Sequence, residues 1–499
     1  MTVLGIRRMN SISSREIHQR VRRLIQSQIL GHLLRIAISL LLLPLDNTVI
    51  FVAEVAWFLS PYSLWLSTIN GRHAILRDVQ FRPKTILVTG VDSPHGLRIA
   101  RCWYNEGHRV VGAAIKEARF ASGESMSKAL VAYYRIPNSQ YVSRLLDIVL
   151  REKVDIWIPC SQDTSAIDDG MAKQAIESRT SCKCVTLDTE LASQWNQTES
   201  FVQYLIDHGH PVVENHQVQS RDSIHRILHR SPTKIYHIRQ TVPGNNGEKI
   251  IVLPKRTLSS TYSEVSEIKV SKDSPWAMEQ HARLGEFVAE VLIIRGHVTA
   301  IRVHPAGRES DCGCSRLNEG LSAAARQVME DLACKGGHRL TGHFLVRLMV
   351  DEELHLNSVR YEVRIAGCAQ GAAAIARLLQ DTPSRTLVDG YLTILPENAP
   401  GALVNGLNRP EISISMLSHR PSFYEAFKSY ATRDINPALC PLAQQVNWAM
   451  DEAAKLVLFW TNWRFSITDP LPWWWHNHVS WPLTELDLLL QSIKRALAS

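Results

Sequence analysis

The chain has 499 residues, 45% of them hydrophobic and 21% charged, with 55 Lys and Arg against 48 Asp and Glu. That is too long for one ordinary core and too apolar for a disordered chain, so several lobes are expected. A net charge of +7 spread along the chain, without a DNA- or RNA-binding motif, argues against nucleic acid as a partner.

Residues 1–30 form a basic arm with Arg7, Arg8, Arg15, Arg20, Arg22 and Arg23. Residues 31–70 form a hydrophobic segment whose 33–66 stretch is the most apolar part of the chain. Ile36–Leu45 reads IAISLLLLPL, and Asn47–Leu66 follows with Glu54 as its only charge. A membrane span needs about 20 apolar residues, so this stretch is expected to meet lipid. Two architectures fit: a single span from Thr48 to Leu66, or a hairpin broken at Pro44-Leu45-Asp46-Asn47. Arg72, Arg77, Arg82 and Lys84 make the far flank basic too. Basic flanks prefer the cytosolic side, so the lobes that follow are expected to face the cytosol.

Residues 84–190 read as a doubly wound α/β lobe. Thr85–Thr89 is an unbroken β-type run, as in a strand covered on both faces. A turn from Gly90 to Gly96 enters helix Leu97–Glu106, and Arg109–Gly112 starts the next strand. Helix Tyr141–Lys153, strand Asp155–Pro159, helix Ser165–Glu177 and strand Cys184–Leu187 continue the pattern. The turn is G-x5-G rather than G-x-G-x-x-G, so the dinucleotide fingerprint is missing. A Tyr-x-x-x-Lys pair occurs far downstream, at Tyr424 and Lys428. A short-chain reductase is therefore the weaker alternative. Two cysteine pairs, Cys182/Cys184 and Cys312/Cys314, are spaced C-x-C and read as free thiols or zinc ligands.

Residues 191–270 and 271–395 read as two α+β lobes. The order is helix Phe201–His208, helix Ser223–Leu228, strand Ile235–Arg239, a loop Thr241–Lys249 with Gly244 and Gly247, and strand Ile250–Leu253. Trp276–Gln280 comes next, followed by a hairpin of Glu286–Ile294 and Val298–Val303. Helix Leu321–Cys334, strand Gly342–Val350 and the run Arg360–Arg364 close the pattern. Residues 396–499 form a helical, aromatic extension. Its Leu456–Phe465 and Pro470–Trp481 runs are expected to meet the membrane or to pack on the N-terminal apolar segment.

Particular runs carry a resemblance. They are Gly107-His108-Arg109-Val110, the stretch Leu145–Pro159 (LLDIV…DIWIP), Leu253-Pro254-Lys255, and Asp469-Pro470-Leu471-Pro472-Trp473 with His478 and Pro482. In these the chain resembles the ATP-grasp superfamily, closest to mycosporine-glycine ligase-like members and fungal specialised-metabolite proteins. The resemblance implies a pre-ATP-grasp Rossmann-like lobe followed by a two-lobed ATP-grasp domain, here behind an N-terminal membrane segment. It also implies that related proteins continue past the last residue of this chain. The implied activity is ATP-dependent carboxylate–amine ligation through an acyl phosphate, with a small-molecule carboxylate and amine as substrates.

Carried over residue by residue, the phosphate-contacting lysine of the family falls on Arg239. The adenine hinge falls on Glu279 and Gln280, and the ribose-contacting acid on Glu286. The metal-ligand strands align Arg347 with an aspartate and Arg364 with an asparagine, and they keep Glu362. Two arginines beside one carboxylate repel Mg²⁺, so weak or absent magnesium dependence is expected, with the arginines acting on the phosphates instead. The other class of reading is a membrane-bound pseudoenzyme that scaffolds or regulates partners.

Overall fold

The computed structural model describes residues 31–52, 75–115, 120–240, 251–270, 276–306, 319–396 and 462–498, with isolated gaps inside these ranges, together with Val55 and Arg72. The Gly244/Gly247 loop, Cys312/Cys314, the remainder of the apolar segment to Leu66, and Tyr424/Lys428 lie outside the described residues. The chain divides into two units. One holds residues 71–117 and 131–402; the other holds 1–70, 118–130 and 403–499.

In the larger unit, the unbroken apolar run becomes β1 (Thr85–Thr89), central in a parallel sheet. Its neighbours are β2 (Arg109–Ala114), β3 (Ala132–Arg135), β4 (Ile156–Pro159) and β5 (Lys183–Cys184), in the order β3-β2-β1-β4-β5. A parallel strand needs a crossover, which puts helices on both faces and explains why β1 carries no polar alternation. The crossovers are α2 (Pro94–Asn105), α3 (Tyr141–Glu152) and α4 (Ala166–Glu177). Ser93 caps α2 by accepting from the Gly96 backbone N–H at 3.0 Å. Position 90 must be glycine: its φ is +73°, and a Cβ there would lie 2.3 Å from the Ser161 backbone nitrogen. Trp103 and Trp157 are fully buried.

Two antiparallel sheets follow, each backed by helices on one face. The first has the order β6-β9-β7-β8, from β6 (Asn215–Val218), β7 (Ile235–Gln240), β8 (Ile251–Leu253) and β9 (Trp276–His281). Its strands pack Val218, Tyr236, Ile238 and Met278 against Ile224 and Val265, which come from helices Arg221–Arg230 and Leu258–Glu267. The second sheet has the order β11-β10-β12-β13, from β10 (Gly285–Ile294), β11 (His297–Pro305), β12 (Gly342–His355) and β13 (Ser358–Gln370). Phe344, Val346, Leu348 and Val350 alternate into a core with Leu321, Met329 and Leu332 of helix Glu319–Gly336. Helices Ala376–Asp381 and Ser384–Leu392 complete this unit.

The smaller unit holds α5, our label for Gly31–Val52, together with helix Leu471–Trp475, the π-turn His476–Ser480 and helix Trp481–Ala498. Here the sequence expectation is corrected. Pro44-Leu45-Asp46-Asn47 does not break the helix, which runs on through it to Val52, and Thr48 lies inside the helix instead of starting a span. Asp46 faces inward, where His478 binds it at 2.8 Å, so residues that read as a turn are held helical by a partner.

Two buried histidines are expected to make the larger unit acid-sensitive. Burial, reinforced by Lys84 and Arg72, holds His108 down to about 4, and its Nδ1 accepts from the Lys84 backbone N–H at 3.1 Å. Burial likewise holds His343 down to about 4, with Tyr391 Oη 2.7 Å from its Nε2. An unfolded histidine takes a proton near pH 6.5, before either folded ring does. Stability should therefore fall as pH drops from about 6.5 to about 4, by on the order of 1 kcal/mol per pH unit for each ring. Denaturant midpoints measured across that window should flatten in His343→Gln. An unchanged slope would show that the ring is protonated in the folded state.

Candidate functional site

The second antiparallel sheet has an apolar face and a polar face. Register fixes the polar one. On β12, Arg347 lies opposite Val288 of β10 and Gly367 of β13; Met349 lies opposite Arg364, and Asp351 opposite Glu362. A β-bulge between Arg347 and Leu348 re-phases β12 against β13. Arg347 then lies over Gly367, where a Cβ would come within 3.0 Å of its guanidinium.

The polar face is a set of ion pairs. Arg347 donates to Glu286 Oε1 at 3.4 Å. Arg364 donates to Glu362 Oε1 at 2.7 Å and to Asp351 Oδ2 at 3.5 Å. This corrects the expectation of one carboxylate flanked by two arginines. Arg347 belongs to Glu286, while Arg364 bridges two carboxylates that face each other across the strands. A divalent cation needs oxygen ligands free to close around it. Each of these three carboxylates already faces a guanidinium, so the residues present do not fit Mg²⁺.

Beside this face lies a second cluster. Lys234 donates to Glu214 Oε1 at 2.5 Å, and Tyr236 Oη donates to Glu214 Oε2 at 3.0 Å. Burial works to raise the Glu214 carboxyl, but the bonds from Lys234 and Tyr236 outweigh it and hold the pKa below the ordinary value. Sequence reasoning missed Glu214, Lys234 and Asp351. Extending the alternation of β12 one residue past Val350 would have found Asp351.

Glu279 and Gln280 are neighbours on β9, which is a strand in the sheet interior and not a free hinge. Successive side chains point to opposite faces, so the two cannot act as one pair on one ligand face. Gln280 is 5% exposed, and its Oε1 has no hydrogen-bond partner among the described residues. Glu279 lies on the other face, opposite His237 in register. There the rings of His237 and His281 stack at 3.9 Å. Arg239 occupies the β7 position opposite Ala277.

The structure thus brings together Arg347, Glu286, Arg364 and Glu362, and places Glu279, Gln280 and Arg239 on the neighbouring sheet. Backbone links join the two sheets. Val213 N–H donates to Ile365 O at 3.0 Å, and Val213, Ala282, Met349 and Ala366 form a shared apolar cluster. A separate groove of about 760 Å³ lies between helices Thr189–Asn196, Thr198–Asp207 and Glu319–Gly336. Lys335 and Arg339 line it, and none of the seven residues singled out from the sequence does.

No family model and no curated protein sequence matches this chain. Among solved structures, the biotin carboxylase subunit of pyruvate carboxylase is 13% identical at a TM-score of 0.41, over 60% of this chain and 71% of that one. N5-carboxyaminoimidazole ribonucleotide synthetase in complex with ADP is 15% identical at a TM-score of 0.40, over 63% and 78%. The biotin carboxylase of Campylobacter jejuni in a β-γ-ATP complex is 12% identical at a TM-score of 0.41, over 65% and 73%.

Proposed function

We propose that this chain is a diverged ATP-grasp protein that binds ATP between its two antiparallel sheets and ligates a carboxylate to an amine. One observation carries the reading. A parallel α/β lobe is followed by two four-stranded antiparallel sheets, each backed by helices on one face and polar on the other. In the reaction, the substrate carboxylate oxygen attacks the terminal phosphorus of ATP, ADP leaves, and the amine then displaces phosphate from the acyl phosphate. The work of the protein is positioning and charge neutralisation. Arg347 and Arg364, with Arg239, are the groups for it, because a guanidinium fork matches a phosphate edge with two hydrogen bonds. Phosphate oxygens would take the arginines from Glu286, Asp351 and Glu362. The specialised-metabolite setting rests on the sequence resemblance.

Calorimetric titration with ATP tests the reading. Binding is expected in EDTA, weakened on the order of 10- to 100-fold by Arg239→Ala. Unchanged affinity in that variant would remove Arg239 from the site. A pseudoenzyme is the second reading, favoured by the same ion pairs, which leave Arg347 and Arg364 satisfied without ligand. Amine-dependent release of phosphate from ATP with a panel of carboxylates separates the two.

We also propose that α5 tethers the protein to a membrane, with the larger unit in the cytosol. The support is its 22 residues and the low burial of its apolar stretch, 12%. The intact protein should pellet with membranes and resist carbonate extraction. Recovery in the soluble fraction without detergent would overturn the tether.

A further inference from the structure

The smaller unit is built inside out. On α5, His32, Arg35, Ser39 and Asp46 recur at heptad-like spacing and form one stripe. Every member of that stripe is engaged by the C-terminal segment. His32 and Arg35 both bind the Glu485 carboxylate, Arg35 at 2.6 Å. Ser39 Oγ donates to Asn477 O at 2.8 Å and lies 3.2 Å from His478 Nδ1. His478 Nε2 donates to Asp46 Oδ2 at 2.8 Å. One turn further, Trp474 Nε1 donates to Asn47 Oδ1 at 3.0 Å. Ser39, Asp46, Asn477 and Glu485 are all buried.

The contacts run in opposite directions along the two segments, from His32 with Glu485 to Asn47 with Trp474. The ladder is therefore an antiparallel clasp. It covers about 22 Å of helix at 1.5 Å per residue, most of the hydrocarbon depth of a bilayer.

The outer faces carry the opposite chemistry. Leu33, Leu40, Leu41, Leu45, Phe51 and Val52 of α5 are exposed. At about 100° per residue they centre roughly half a turn away from the polar stripe. On the facing helix, Glu485 and Leu489 point in while Leu486, Leu488 and Leu490 are exposed, with Thr484 and Lys494 also exposed towards its two ends. A mainly polar seam with leucines on the outer faces is the reverse of a helix pair packed in water. It is the arrangement of polar side chains in a hydrocarbon solvent, where they must find partners within the protein. The basic flank at Arg20, Arg22 and Arg23 complements anionic headgroups.

We propose that Trp481–Ala498 is a second lipid-facing arm, clasped to α5 by this polar ladder, and that the outer faces of both helices are covered by acyl chains. This rests on the tether proposed above and extends it to the other end of the chain.

The test places a benzophenone amino acid at Leu41, Leu488 or, as a control on the larger unit, Ile206. The full-length protein is reconstituted in phosphatidylcholine–phosphatidylserine vesicles carrying a tagged lipid and then irradiated. Leu41 and Leu488 should capture lipid to similar extents, at least about tenfold above Ile206. Capture at Leu41 without Leu488 overturns the second arm and leaves the tether standing. Capture at neither overturns the tether itself. Protein–protein adducts in place of lipid at both positions would assign these faces to a second copy of the chain and overturn the proposal. Glu485→Leu should lower lipid capture at Leu488 while leaving capture at Leu41 intact. Equal capture at Leu488 in that variant would show that the ladder does not hold the arm.

Discussion

Replacing Glu290 by alanine is expected to destabilise the second antiparallel sheet by about 3–5 kcal/mol, because the change removes one partner of a buried charged cluster. Glu290 is 3% exposed, on the polar side of β10. Its Oε2 accepts from the Leu378 backbone N–H at 2.6 Å, and its Oε1 lies 3.2 Å from His304 Nε2. Leu378 belongs to the first turn of helix Ala376–Asp381, where a backbone N–H has no intrahelical acceptor. Alanine therefore strands that N–H and leaves the His304–Arg377 contact without its carboxylate. Glu290→Gln keeps an uncharged acceptor at the same reach, so about 1–2 kcal/mol is expected for it. Hydrogen exchange read at residues 376–381 separates the two variants. Alanine should speed exchange there far more than glutamine, and equal protection in both would show that the carboxylate contributes nothing.

Replacing Arg364 by asparagine is expected to weaken ATP on the order of 10- to 100-fold and, in the same protein, to create affinity for a divalent cation. The first effect follows from the proposed function, in which Arg364 makes a charge-assisted contact to phosphate. The second follows from register: Asp351 and Glu362 are directly opposed, and Arg364 is the counter-ion they share. Without it, two carboxylates face each other and repel unless a cation joins them. Calorimetry with ATP in EDTA reads the first effect, and the loss of free Mn²⁺ signal on titration reads the second. In the natural sequence, ATP affinity should change little between EDTA and Mg²⁺. Strict magnesium dependence there would show that Arg364 swings away and that the carboxylates act as ligands after all.

The elements were largely legible in the sequence. Thr85–Thr89 is β1 at both ends, and Ile235–Arg239, Glu286–Ile294 and Leu321–Cys334 fall within a few residues of the observed elements. Unbroken β-type runs and glycine turns are local signals, and these elements are local objects. The site was less legible because it depends on register. That Asp351 meets Glu362, or that Arg347 chooses Glu286 over Glu362, follows from how strands pair and from a bulge that composition does not announce. Glu279 and Gln280 read as a hinge from the family resemblance; the pairing of Trp276–His281 with β6 and β7 makes the run a strand. Pro44–Asn47 read as a break because proline, aspartate and asparagine are turn residues. The partner that overrides them, His478, is 432 positions away.

Residues 120–130 leave the parallel lobe and join the smaller unit. There Glu124 meets Arg464 at 2.5 Å, the Ser127 hydroxyl donates to Asp469 at 2.6 Å, and Trp475 Nε1 donates to Ala121 O at 3.3 Å. On the ribosome the order of synthesis matters. At about 5–20 residues per second, the 340 positions between Glu124 and Arg464 correspond to an interval of tens of seconds. Through that interval the excursion waits without its partners while the strands on either side of it are free to pair. Buried Glu124 must then remain hydrated until Arg464 emerges, so this part of the smaller unit can close only after the strands of the larger unit have been made.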